Sequence, residues 1–153
     1  KRKALVGEKR KNQIGVDRDP YSIDPFPGYD NVLITFEELV EIINLEEKTW
    51  FSALSNAKGV YLISDCATGK LYVGSAYGED AFWQRWKCYS EDGHGGNKLL
   101  REILAKEGPS YASNFRYSIL EIRNMNTEDD IIINRENYWK ECLNTRRFGY
   151  NDN

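Results

Sequence analysis

The sequence has no run of eighteen apolar residues, which excludes a bilayer-spanning helix, and no stretch that reads as a signal peptide. Its three cysteines, Cys66, Cys88 and Cys142, lie far apart and form no CxxC pair. An odd, scattered set suits a reducing compartment, and each cysteine is expected to fill space rather than hold metal. The expected location is therefore the cytoplasm, away from any membrane. Positive charge is short as well: the formal net charge is −3, which argues against a strong electrostatic grip on nucleic acid but leaves room for a local basic patch. Helix-turn-helix and zinc-finger patterns are missing, as are internal repeats and low-complexity segments. What 153 residues with 41% hydrophobic and 29% charged content do allow is one buried core with an extension.

The extension is assigned to residues 1–57 and the main module to residues 58–153. Residues 1–11, KRKALVGEKRK, form a basic run that reads first as a solvated tail. Pro20, Pro25 and Pro27, with Tyr21 and Phe26 among them and Tyr29 just after, predict an extended arm that its aromatics can pin to a neighbouring surface. Thr35-Phe36-Glu37-Glu38 predicts a capping box that opens a helix with Leu39, Ile42 and Ile43 along one stripe. A second short helix is predicted near residues 47–57.

The centre of the chain is more informative. Val60, Tyr61, Leu62 and Ile63 favour a strand, Asp65-Cys66-Ala67-Thr68-Gly69-Lys70 supplies turn chemistry, and Leu71, Tyr72 and Val73 resume a strand, so a β-hairpin is predicted. Gly78-Glu79-Asp80 then breaks the chain and offers Asp80 as a helix cap. Phe82, Trp86 and Tyr89 recur as on an amphipathic helix, and Arg85 and Tyr89 stand i, i+4 on one face. Gly93-His94-Gly95-Gly96 is a turn around the single histidine. Asn97 is a candidate cap for a helix over 98–107, and Gly108-Pro109 ends it. Residues 115–122 predict a third strand. Thr127 with Asp130 is a looser capping box for a long helix over about 128–143, on which Ile132, Glu136, Trp139 and Leu143 form a stripe. The predicted fold is α/β (α+β): a small three-stranded antiparallel sheet flanked by helices.

Several of these residues could carry phosphodiester chemistry, which needs a positioned nucleophile and stabilisation of charge on the phosphate and the leaving oxygen. Glu136, a carboxylate in an apolar stripe, can hold a hard cation or pair with a cation such as Arg85 or Arg135. Arg85 offers a fork for phosphate or is a plain surface residue. Tyr61 or Tyr72 can accept a proton only if a metal or Arg85 lowers a pKa that starts near ~10, and is otherwise strand packing. His94 can relay a proton near neutral pH or simply sit exposed in its turn.

Taken together, Gly59-Val60-Tyr61, Tyr72-Val73-Gly74, Arg85, Tyr89, His94, Glu136 and Asn151 resemble in order and spacing the GIY-YIG nuclease family, named for two such tripeptides on adjacent strands. The resemblance covers roughly residues 58–152. It implies a metal-dependent endonuclease acting on nucleic acid, with DNA expected. Tyr61 would be general base or water-orienting group, Arg85 the phosphate contact, and Glu136 the ligand of one Mg2+ or Mn2+ ion. Tyr72 and Tyr89 would complete the pocket, and Asn151, which matches the terminal asparagine, would contact nucleic acid. Tyr72-Val73-Gly74-Ser75-Ala76 is similar to the homing-endonuclease branch. In the excision-repair branch a lysine usually follows the second tripeptide, and Ser75 stands there. Lys87, Lys98 and Arg101 are the nearby cations for nucleic acid, and with so few of them binding is expected to be weak, specificity coming from an upstream segment, a partner protein or DNA structure. A catalytically silent nucleic-acid-binding or assembly module on the same fold is the alternative. A protein-interaction domain using the proline-aromatic arm is a third.

Overall fold

A fourth strand, β1 (Leu33–Thr35), enlarges the sheet beyond the three strands that the sequence predicts; the computed structural model describes residues 23–153. The basic run at 1–11 and Pro20 and Tyr21 of the arm lie outside the described residues. In chain order the elements continue with α1 (Phe36–Leu45), α2 (Lys48–Leu54), β2 (Lys58–Asp65), β3 (Leu71–Ala76), α3 (Ala81–Asp92), α4 (Lys98–Glu107), β4 (Phe115–Arg123), α5 (Asp129–Leu143) and the short α6 (Thr145–Phe148). The sheet is antiparallel in the order β1-β4-β2-β3. Leu33, Ile34 and Thr35 pair with Ser118, Tyr117 and Arg116. Three residues are too few to show alternation, so the fourth strand was hidden between the arm and the first helix.

Thr35 ends β1 and caps α1 as predicted. Its side chain accepts the Glu38 N–H at 3.1 Å, and the Glu38 carboxylate accepts the Thr35 N–H at 2.8 Å. Three other predicted caps are corrected. Asp80 precedes α3 in a left-handed conformation, φ 60°, without a capping bond, and Asn97 precedes α4 with its amide turned elsewhere. Thr127 forms no box with Asp130: α5 starts after Glu128, while the Thr127 carbonyl accepts the Lys58 ammonium at 2.7 Å.

One face of the sheet holds an aromatic core. Tyr61 on β2 meets Phe82, Trp86 and Tyr89 of α3 edge-on, with centroids 6.3, 6.0 and 5.8 Å away, and Trp86 and Tyr89 in turn meet Tyr117 of β4. All of these rings are fully buried. Burial of each is worth about 1.5–3 kcal/mol, and each edge-on pair adds roughly 0.5–1.5 kcal/mol. Two glycines make the packing possible. Gly74 lies opposite Tyr61 in the hairpin register, and a Cβ there would stand 2.4 Å from the Tyr61 ring and hydroxyl. At Gly59 a Cβ would stand 2.0 Å from the Glu121 carbonyl, next to the register shift between Val60 and Tyr61.

The other face carries α5, anchored by Glu121 of β4. Its carboxylate accepts Arg135 Nε at 2.9 Å, Trp139 Nε1 at 3.0 Å and Arg123 Nε at 2.8 Å. Partial burial pushes Glu121 up, but the hydrogen bonds from Arg135, Trp139 and Arg123 outweigh it and bring the pKa down to about 2.

The C-terminal tail closes the free edge of β3. The Tyr150 N–H donates to the Leu71 carbonyl at 2.8 Å, and the Asn151 side chain both accepts the Val73 N–H and donates to the Val73 carbonyl, each at 2.9 Å. An asparagine amide here takes the place of a neighbouring strand. Tyr150 and Tyr111 also donate to the buried Asp65 carboxylate at 2.5 and 2.7 Å, which ties tail, hairpin turn and the segment before β4 together.

Replacing Glu121 with Gln should lower stability at neutral pH by about 1.5–3 kcal/mol, the range for hydrogen bonds to charged groups. Because the folded pKa is depressed, the carboxylate's contribution is complete above its unfolded value near 4.5 and is lost as pH falls toward about 2. Calorimetric unfolding of both proteins at pH 7, 4 and 2.5 should therefore show the gap closing with acid. A gap that stays constant would assign the loss to packing.

Candidate active site

A cavity of about 360 Å³ opens where the β3 edge meets α3 and α5, and Tyr61, Tyr72, Ser75, Tyr77, Arg85 and Glu136 line it. Four of the predicted site residues thus converge from four elements. Tyr61 and Tyr72 come from the hairpin, Arg85 from the aromatic helix and Glu136 from α5 on the opposite face.

Their hydroxyls form a chain whose polarity can be derived. Tyr72 donates to Asn97 Oδ1 at 2.8 Å, and Asn97 Nδ2 donates to the Tyr89 hydroxyl at 2.6 Å. Arg85 Nη2 also donates to the Tyr89 hydroxyl, at 3.3 Å. An amide nitrogen and a guanidinium can only donate, so the Tyr89 oxygen is an acceptor twice and its own hydrogen goes to the Tyr61 oxygen, 2.8 Å away. Tyr61 is left with its hydrogen and one lone pair for the cavity it lines. Burial drives the Tyr61 and Tyr72 pKa values well above the ordinary tyrosine range, with Arg85 opposing in both. Both are therefore neutral phenols, and Arg85 alone does not produce the phenolate that a general base requires.

Arg85 is held in place. Its Nη1 donates to the Gly95 carbonyl at 3.2 Å, and its guanidinium carbon lies 4.8 Å from the Tyr89 ring centre. Gly95 has φ +58°, and a Cβ there would come within 2.9 Å of Tyr89 and 3.1 Å of Arg85. The other guanidinium N–H groups have no protein partner among the described residues, and Arg85 lines the cavity.

Glu136 pairs with neither Arg85 nor Arg135. Arg135 turns to Glu121, and the cation near Glu136 is Lys140, one turn on, with Nζ 3.8 Å from Oε2 and only 6% of its side chain exposed. Lys140 also donates to the Asn153 carbonyl at 3.2 Å. Among the described residues no cluster of three or more His, Cys, Asp or Glu could hold a metal. One carboxylate beside open space suits a hard cation that keeps most of its water, not a zinc-type site.

The remaining predicted residues fall outside this cavity. His94 accepts the Gly96 N–H on Nδ1 at 2.8 Å and stabilises its own turn. Lys87, Lys98 and Arg101 are exposed on α3 and α4, and Lys87, two residues after Arg85, points to another side of the helix. Asn151 is corrected: it is 2% exposed and its amide is fully engaged by Val73, so it is not placed to touch nucleic acid. Tyr89 lies beneath the cavity as the junction of the hydroxyl chain. Asn97 and Tyr77 were missed. An asparagine directly before a helix reads as a cap, and nothing local distinguishes one whose amide bridges two distant tyrosines.

No family model matches the chain. The chain is 36% identical over 94 residues to the intron-associated endonuclease 1 of Enterobacteria phage T4, a match that spans 61% of this chain and 36% of that protein. It is also similar to a solved mutant of the catalytic domain of intron endonuclease I-TevI, at 35% identity and a TM-score of 0.51, covering 63% of this chain and 94% of that domain.

Gly74→Ala tests the geometry directly. The added methyl would fall on the Tyr61 ring, and the overpacking should cost about 1–3 kcal/mol in denaturant unfolding with an unchanged m value. Unfolding at the parent midpoint would show that Tyr61 does not lie over Gly74.

Proposed function

The chain belongs to the GIY-YIG endonuclease family, and on that premise we propose that it hydrolyses phosphodiester bonds in DNA with the aid of one hard divalent cation. The observation that supports this reading best is the convergence of Arg85 and Glu136, from opposite faces of the sheet, on a cavity floored by Tyr61 and Tyr72.

Arg85 binds the scissile phosphate with the N–H groups that Gly95 and Tyr89 leave free. Because those two contacts fix its plane, it meets developing charge without rearranging. Glu136 would hold Mg2+ or Mn2+, which when bound supplies charge to the phosphate oxygens and the leaving oxygen. Lys140 lies behind Glu136 and limits the cost of keeping a carboxylate in a half-buried place. Tyr61 stays neutral and orients the attacking water through the hydrogen and lone pair left by the chain from Tyr89. Tyr72 and Asn97 fix the direction of that chain from its far end.

A plasmid-nicking assay in magnesium tests the reading. The parent should nick, Glu136→Gln should abolish nicking with the fold intact, and Arg85→Ala should lower turnover on the order of 10²-fold or more while DNA binding is largely kept. A Gln variant that cuts as fast as the parent would sink the metal-ligand role, and equal losses of affinity and rate would reduce Arg85 to a binding residue.

The polarity of the hydroxyl chain makes its own prediction. Asn97→Asp keeps the shape but replaces the donor to Tyr89 with an acceptor. Tyr89 then donates to the new carboxylate and no longer to Tyr61. Turnover should fall by roughly 10- to 100-fold, as for a misplaced reacting group, with the thermal midpoint nearly unchanged. Asn97→Asp turnover equal to the parent's would show that the direction of the chain is irrelevant to the reaction.

A further inference from the structure

Tyr77 lines the cavity but has no part in the chemistry above. It follows the last residue of β3 and is 44% exposed. Among the described residues its side chain has no hydrogen bond, ion pair or ring contact, whereas the other two cavity tyrosines are tied to Tyr89 and Asn97. An unpartnered ring on the rim of a polar cavity presents a free π face to whatever occupies the cavity.

The backbone beside it is constrained. Gly78 and Asp80 in the short link from β3 to α3, and Ala81 at the start of α3, the helix that carries Arg85, all have positive φ, of +80°, +60° and +30°. Ala81 is 1% exposed, so packing enforces the strained conformation and fixes the rim relative to Arg85. The same link carries Glu79, exposed, and Asp80. Two carboxylates two and three residues after Tyr77 repel a phosphate backbone, so the ligand that suits this rim is the neutral face of a base.

We propose that Tyr77 is a base-stacking residue, taking the face of a nucleobase next to the phosphate held by Arg85. This rests on the nuclease reading of the cavity and adds a substrate class to it. In a paired duplex both faces of each base are occupied by its neighbours, so the base must leave the stack to reach Tyr77. The preferred substrate is therefore DNA with a locally open strand, a mismatch or short gap, at the cleavage position. Stacking on an aromatic ring tolerates any base, which agrees with a sequence that shows no helix-turn-helix or zinc-finger pattern.

Binding is measured in the Glu136→Gln background, so that cleavage does not intervene, on two DNAs of the same sequence, one fully paired and one with a two-nucleotide gap carrying 2-aminopurine. The expected result is tighter binding of the gapped DNA and a change in 2-aminopurine fluorescence on binding. Tyr77→Ala should lose on the order of 10-fold in affinity for the gapped DNA, lose the fluorescence change, and bind paired DNA as before. Tyr77→Phe and Tyr77→Trp should keep both signals, because the ring and not the hydroxyl makes the contact. Retention of the gap preference and the fluorescence change by Tyr77→Ala overturns the proposal, as does Tyr77→Phe behaving like Tyr77→Ala. Nicking by the parent with Tyr77→Ala unchanged in binding would reject the stacking role alone. No nicking by the parent, with Tyr77-dependent binding of gapped DNA, would reject the nuclease reading and leave the stacking role standing.

Discussion

A missing side chain governs this protein. Tyr61 can lie across the sheet only because its cross-strand partner is Gly74, whose Cβ would occupy the space of the phenol ring. With the ring in that position its hydroxyl meets Tyr89 of α3, and its edge packs on Trp86 and Phe82. Hairpin and helix are thereby locked at one distance and one rotation. Arg85 sits on the same helix one turn before Tyr89, so the packing that buries Tyr61 also delivers the guanidinium to the cavity.

The polar groups around this core act as structural ties. Asp65 collects two tyrosine hydroxyls, Glu121 collects two arginines and a tryptophan, and Asn151 substitutes for a strand at Val73. Each joins segments far apart in sequence, and each leaves few donors or acceptors unpaired in places where an unpaired group is costly. The effect on the site is that β3, an edge strand, is closed at Val73 and open at Ser75, where the cavity lies. An open edge beside a carboxylate and an arginine gives a ligand access from solvent without breaking the core.

Glu136 shows how burial and charge are balanced in that setting. A carboxylate with 17% of its side chain exposed requires compensation, and Lys140 on the next turn provides it at 3.8 Å, a separation that weakens the pair and leaves the carboxylate able to take a further cation. Arg135, the neighbour in sequence, is drawn away by Glu121 and stacks on Tyr138. Helix rotation separates the two cations of α5: position 135 faces Glu121 of β4, and position 140 lies one turn from Glu136 on its side of the helix.

The sequence by itself determined what depends on local pattern: the hairpin with its glycines, the Thr35 capping box, the α4 boundaries and the strand β4 all follow from propensity and periodicity. The grouping of Tyr61, Tyr72, Arg85 and Glu136 in one site came from the family resemblance that their order and spacing carry. Only the tertiary structure decided where groups without a local signature point. Asn97 and Asn151 are each an asparagine beside a turn, yet one bridges two tyrosines and the other closes a strand edge, because an amide bonds to whatever partners the fold brings within about 3 Å. The three-residue β1 and the free ring of Tyr77 at the cavity rim are of the same kind: each is set by neighbours that are distant in the chain.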